Sequence, residues 1–262
     1  MDLDEVRISR HIIESYQAKL LSILEVDVAM VGAGPANLTA GYYLGQAGIK
    51  AVILESKLAP GGGMWGGGML FNEAVIQEES VPIAQEMGIR LKDQGGGYYT
   101  FDSVEAASAL SYRCVQAGTT ILNGIKAEDV MFREEQGQKR VCGLVLNWSP
   151  VVSLGLHVDP LALRASYVFD GTGHQAEICR LVIQKMDVRL NNATGEVIGE
   201  LPLWANEGEA LTVSNTKEVF PGLIVVGMAA NNAYGGPRMG PIFGGMLLSG
   251  KKAAEMVIQR LN

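Results

Sequence analysis

Along the first 24 residues, MDLDEVRISRHIIESYQAKLLSIL, apolar side chains recur every three or four positions, with Ile8, Ile12, Tyr16, Leu20 and Ile23 on one face. That period predicts an amphipathic helix. The stretch is charged throughout and has no uninterrupted apolar stretch, so it does not read as a secretion signal. From Val26 the pattern changes to short continuous apolar runs, the mark of strands buried on both faces. These predict strands at 26–31 and 50–54 with a helix over 35–47 between them. Helices are expected over 74–88 and 102–117, separated by the turn DQGGGYYT. Strands follow at 119–123, 128–133 and 140–147, the last two joined by the polar hairpin EEQGQK. A short helix over 159–166 should lead into a strand at Tyr167-Val168-Phe169. Beyond it come a helix at 176–185, a polar excursion through 190–215, a strand over 223–226 and a final helix from about 241 to 260.

The breaks between these runs carry the first chemistry. Residues 28–38 read VAMVGAGPANL, and Glu55 closes the next apolar run. A strand, a Gly32-x-Gly34-x-x-Asn37 turn, a helix and an acid a little over twenty residues on make a dinucleotide-binding fingerprint. Gly32 allows the tight turn. Gly34 lets the backbone approach a pyrophosphate, which sits on the positive end of the helix dipole. Glu55 is placed to accept the hydroxyls of an adenosine ribose. Asn37 stands where Gly or Ala is usual, so helix and sheet are expected to pack slightly further apart. The order of elements resembles the FAD/NAD(P)-binding fold of the glutathione reductase type: an α/β fold with a parallel sheet flanked by helices and a small antiparallel excursion. Proteins of that type that carry a flavin usually have Asp after a late strand-ending Gly; here Met228 follows Gly227, which argues against flavin. With neither an internal repeat nor a linker, residues 1–262 read as one dinucleotide-binding domain with an N-terminal helix.

Composition narrows the partners. A net charge of −7 leaves no basic stripe for nucleic acid or anionic membranes. No apolar run reaches the length of a membrane span. Cys114, Cys142 and Cys179 are scattered without metal or disulfide spacing. A cytoplasmic protein is expected. The 33 glycines suit several tight loops that face a ligand.

Of three histidines, His11 falls on the polar side of the first helix and reads as a solvated surface group. His174 follows a strand and a Gly-Thr-Gly turn at the carboxyl edge of the sheet, where open α/β sheets bind ligands; it equally reads as a cap on the next helix. His157 precedes Asp159-Pro160, which also reads as a helix N-cap with proline at the first position. Two histidines and a carboxylate can hold a divalent transition metal with open positions, which suits iron(II), although the spacing alone does not fix this. Near the C-terminus, Arg238 lies among glycines at a loop-to-helix junction, where its planar fork can meet a small carboxylate.

PGGGMWGGGMLF (60–71), LHVDP (156–160), DGTGH (170–174) and RMGPIFGGMLLSGKKAAE (238–255), behind GAGPAN, resemble the thiamine thiazole synthase family over nearly the whole chain. The resemblance implies that NAD is a substrate: nicotinamide leaves, the ADP-ribose isomerises and condenses with glycine, sulfur is added, and an adenylated thiazole carboxylate results. In fungal and plant relatives a cysteine just before the Asp-Pro gives up its sulfur. This chain has His157 in that segment, which implies free sulfide as the sulfur source and resembles the archaeal, sulfide-using branch. Carried over residue by residue, Asp159 and His174 would bind iron(II), Arg238 the glycine carboxylate, and Gly32, Gly34, Ala36 and Glu55 the adenosine diphosphate. Ser56 stands beside Glu55 where the family often has Arg. Gly63, the backbone at Ala127, His157-Val158 and Met228 would line the rest of the NAD site, and His157 could move protons. The family also implies a homo-octamer with sites shared between subunits. Two other activities fit the same frame: isomerisation of ribose 1,5-bisphosphate, for which a cluster binding two phosphates is not evident, and a flavin-dependent oxidoreduction. A nucleotide-binding scaffold without catalysis is the remaining class, and the His and Asp beside a glycine-lined cavity argue against it.

Overall fold

The computed structural model describes residues 2–135 and 137–261. In chain order the elements are α1 (Glu5–Ser22), β1 (Glu25–Val31), α2 (Pro35–Gln46), β2 (Ala51–Glu55), β3 (Glu73–Gln77), α3 (Val81–Glu86), β4 (Lys92–Gly95), β5 (Tyr98–Asp102) and α4 (Ser103–Gln116). They continue with β6 (Thr120–Asn123), β7 (Ile125–Glu135), β8 (Gln138–Trp148), α5 (Ser149–Ser153), β9 (Leu161–Asp170) and α6 (Glu177–Met186). The chain ends with α7 (Ala205–Ser214), β10 (Lys217–Phe220), β11 (Leu223–Val225), α8 (Met228–Tyr234) and α9 (Gly244–Leu261).

One sheet runs β10-β11-β9-β1-β2-β6, with the β7–β8 pair attached through β9. β1 pairs in parallel with β2, Val28 opposite Ala51, and with β9, Val31 opposite Asp170. Alternate side chains of β1 and β2 feed two apolar layers. Val28, Met30 and Ile53 pack with α2, α4 and α9. Ala29, Val31 and Leu54 pack with β7–β9, α6 and α8. Burial on both faces is what the continuous apolar runs require. The fold is the expected α/β type, a mostly parallel sheet flanked by helices with an antiparallel part.

The antiparallel part is larger than the sequence pattern implied. The segment expected as a helix over 74–88 begins as β3, and after a 3-10 turn at Glu78–Ser80 only Val81–Glu86 is α-helical. Ala74 and Ile76 are buried while Glu73 is exposed, a period of two that a longer window hides. The turn DQGGGYYT is a hairpin, β4 to β5 across Gly96 and Gly97, both with positive φ. With β3 these strands form a separate three-stranded sheet. The helix expected over 159–166 is instead the first part of β9. Leu161-Ala162-Leu163-Arg164 has helical propensity, but pairing with β8 on one side and β1 on the other overrides it. The polar excursion 190–215 contains α7, and α8 and β10 were not foreseen. The last helix begins at Gly244, because Ile242 and Phe243 are drawn onto β3 by a bridge between Val75 and Ile242. The hairpin EEQGQK includes Gln136, which lies outside the described residues; on either side of it β7 and β8 pair antiparallel.

α1 forms as its period demands, with Asp4 accepting from the Arg7 N–H at 2.8 Å as N-cap. None of its residues is buried. Ile23, just past its end, enters the core. Among the described residues no helix is long and apolar enough to cross a membrane.

Candidate active site

A cleft of about 630 Å³ opens over the carboxyl ends of the parallel strands β1, β2, β9 and β11. Its floor is the turn from β1 to α2. Gly32 has φ +87°, and a Cβ there would lie 2.6 Å from the carbonyl oxygen of Gly171, so the turn and the loop after β9 run backbone against backbone. At Gly34 the corresponding space is empty. Gly34 is also the N-cap of α2 and offers no side chain, so the amino end of the helix faces the cleft. Close packing behind the turn is equally strict: a Cβ at Gly250 of α9 would stand 2.1 Å from the Ala36 carbonyl oxygen.

Asn37 explains its own departure from the fingerprint. It is buried, and its side-chain amide donates to the carbonyls of Val31 at 3.0 Å and Gly32 at 2.8 Å, tying off the end of β1. Room for it comes from Gly171, where a Cβ would fall 2.2 Å from Asn37 Nδ2. Glu55 lines the cleft from the tip of β2. One carboxylate oxygen accepts from the Ala33 N–H at 2.7 Å and the other from the Lys57 N–H at 2.8 Å. The acid therefore braces the glycine turn as well as facing the ligand space.

At the other end the loop after β9 presents His174. Buried Asp170 shapes that loop: it accepts from the Thr172 backbone and hydroxyl at 3.1 and 2.6 Å and from the Cys179 N–H at 3.0 Å. The Thr172 hydroxyl in turn accepts from the Glu177 N–H at 2.7 Å, joining the loop to α6. His174 Nδ1 lies 2.6 Å from a carboxylate oxygen of Glu200, and the other oxygen of Glu200 is 3.9 Å from Arg238 Nε.

Gly32, Gly34, Ala36, Glu55, Ser56, Gly63, Ala127, His174, Met228 and Arg238 all line this one cleft. His157, Val158 and Asp159 do not. They stand on the exposed segment between α5 and β9, where the Asn147 amide donates to the Val158 carbonyl at 3.2 Å. Asp159 therefore caps no helix, and the chain does not bring it to the cleft that holds His174. Among the described residues no group of three His, Cys, Asp or Glu side chains is placed to hold a metal ion. His11 is exposed on α1, 3.5 Å from Glu14.

Two lysines of the cleft, and one acid beside it that contacts His174 and Arg238, add to the residues expected from the sequence. Lys57 and Lys126 line the cleft and add positive charge, Lys126 pairing with Glu177 at 3.2 Å. Glu200 sits in the aperiodic run NNATGEVIGELPLW, which gives no signal beyond an acid between glycine and leucine. Two cysteines are disposed as core residues. Burial pushes the Cys114 thiol up to about 12, and burial followed by the negative charge of Asp170 raises that of Cys179 well above the ordinary thiol range. A thiol kept protonated in this way is a poor nucleophile.

A fingerprint turn on a parallel sheet, opening into a single cleft at its carboxyl edge, places the chain in the FAD/NAD(P)-binding class of α/β proteins. Sequence comparison is more specific: residues 9–243 match the Thi4 family. The chain belongs to that family. It is 53% identical to the thiamine thiazole synthase of Methanothermobacter thermautotrophicus over the full length of both chains. It is 50% identical to that of Pyrococcus abyssi over 99% of each. The crystal structure of Thermovibrio ammonificans THI4 superposes with a TM-score of 0.98 at 51% identity and complete coverage of both chains.

Proposed function

We propose that this protein is a thiamine thiazole synthase that consumes NAD, glycine and free sulfide, with iron(II), to make an adenylated thiazole carboxylate. The observation that carries this reading is the continuity of the cleft: one cavity holds the dinucleotide turn at one end and His174 and Arg238 at the other. Glu55 would accept the adenosine ribose hydroxyls, and the amino end of α2 with Lys57 and Lys126 would meet the phosphates. Arg238 would hold the glycine carboxylate. The donor chemistry fits iron: His174 is tied through Nδ1, which leaves Nε2 for a metal, and Asp159 is an exposed carboxylate. When bound, iron(II) would supply Lewis acidity and open positions for joining the glycine nitrogen fragment to hydrosulfide. His157 would move protons during the tautomerisations.

Asp159 and His157 lie outside the cleft of their own chain, which supports their delivery by a second copy, and with the family resemblance we infer a homo-octamer with shared sites. Leu154, Leu156 and Val158 around them are 72, 55 and 48% exposed, an apolar surface suited to contact between copies. Free sulfide as the donor is supported by two of the three thiols being buried and held protonated and by His157 standing where the resemblance places a donor cysteine in fungal and plant relatives.

The test is an anaerobic incubation of protein, iron(II), NAD, glycine and sulfide, read by mass spectrometry. The adenylated thiazole in molar excess over protein is the expected result. At most one equivalent, with the protein lighter by one sulfur, would make a cysteine the donor. No thiazole, with ribulose 1,5-bisphosphate formed from its aldose isomer, would give the site to the isomerase.

A further inference from the structure

We propose that Glu200 is a positioning residue that sets the metal-side imidazole and the glycine-side guanidinium with one carboxylate, an assignment that rests on the thiazole synthase reading. The side chains it joins are half to mostly exposed, His174 at 52% and Arg238 at 61%, whereas that of Glu200 is 14% exposed. Glu200 is thus the fixed member of the three. Its backbone is stitched on both sides. The Gly199 N–H donates to the Asn232 carbonyl at 2.9 Å, and the Leu201 N–H to the Gly236 carbonyl at 3.1 Å. The Arg238 N–H returns to the Leu201 carbonyl at 3.1 Å, closing a short parallel bridge between Leu201 and Pro237. From the other side, the Asn232 side-chain amide donates to the carbonyl of His174. The loops that carry His174, Glu200 and Arg238 are therefore one hydrogen-bonded unit.

The chemistry of the contacts defines the role. Nδ1 of His174 lies 2.6 Å from one Glu200 oxygen, so a hydrogen bond there engages Nδ1 and leaves Nε2 to face a metal. This is the carboxylate–histidine arrangement that orients a metal-binding ring. The second oxygen approaches Arg238 through Nε, which leaves the two terminal amino groups of the fork for a bidentate carboxylate. Glu200 touches neither ligand; it acts through the two residues that do.

The test compares wild type, Glu200→Gln and Glu200→Asp, all as full-length protein. Cobalt(II) titration under anaerobic conditions without substrates, NAD affinity by calorimetry, and glycine KM and kcat in the iron-loaded assay are measured for each. Glu200→Gln should weaken cobalt binding by about 10–100-fold and raise glycine KM, with NAD affinity unchanged. Glu200→Asp, which keeps the charge, should recover part of both losses. Metal affinity and glycine KM within twofold of wild type in Glu200→Gln would overturn the proposal. So would a matching loss of NAD affinity in both variants, which would make Glu200 a brace for the whole cleft. Wild-type protein that takes up no metal and makes no thiazole would instead sink the functional reading on which the proposal rests.

Discussion

The two ends of the cleft are built on opposite terms. At the dinucleotide turn the groups are largely backbone at the tips of β1 and β2, braced by the buried Glu55 carboxylate. At the other end they are side chains on loops: His174 and Arg238 are half or more exposed, and Asp159 is outside the cleft altogether. A dinucleotide needs a fixed cradle, which local sequence can specify. The proposed joining of a glycine fragment to sulfur would need several groups of differing chemistry, which on this reading come from distant loops and from another copy.

The sharpest way to break this comparison is to separate the two ends genetically. Asp159→Ala and Arg238→Ala should each lower turnover by more than about a hundredfold, beyond the range for losing a residue that only orients a metal ligand. Their co-assembled mixture should recover activity, because some sites would draw an intact residue from each chain. Recovery absent from a verified mixed oligomer would place both residues in one chain's site. Next in size is the cradle itself. Gly32→Ala puts a side chain at φ +87° and against the Gly171 carbonyl, at an expected cost of about 2–4 kcal/mol in stability by denaturant unfolding. NAD affinity should fall with it. Glu55→Gln removes a charged acceptor from the Ala33 and Lys57 N–H groups and from the ribose. It should weaken NAD binding by about tenfold or more while leaving cobalt affinity unchanged. Effects on both would show that the ends are mechanically coupled.

The smallest effect concerns a group away from both ends. Glu209 on α7 is buried against the start of α9, and burial raises its carboxyl above the ordinary range despite the Gly245 N–H that it accepts. A carboxyl whose pKa is higher folded than unfolded destabilises the fold as pH rises through the ordinary carboxylate range. Glu209→Gln should therefore be more stable than wild type at neutral pH. The gap should close below pH about 4, as read by thermal unfolding across pH.

The nucleotide end was legible because its requirements are local. A strand, two glycines and an acid carry their own spacing, and even the odd Asn37 finds its explanation in Gly171. The chemistry end was legible only in part. His174 and Arg238 stood out by residue type among glycines, whereas Glu200 did not, because its partners lie 26 and 38 positions away in an aperiodic stretch. The two strands expected as helix share one cause. In β3 and β9 the intrinsic preference of Ala, Leu, Glu and Arg for helix is overridden by strand pairing with residues far along the chain.

The N-terminal helix has one more consequence. It spans 18 residues and buries none of them, so within a single chain it has little beyond its own hydrogen bonds to hold it. Most of a protein helix's stability comes from packing its amphipathic face, which this helix lacks within one chain. Its amides should exchange with solvent almost as fast in the isolated chain as in an unfolded one, and slow sharply when copies cover Ile8, Ile12 and Tyr16. Deuterium uptake over Glu5–Ser22 is therefore a gauge of association rather than of folding.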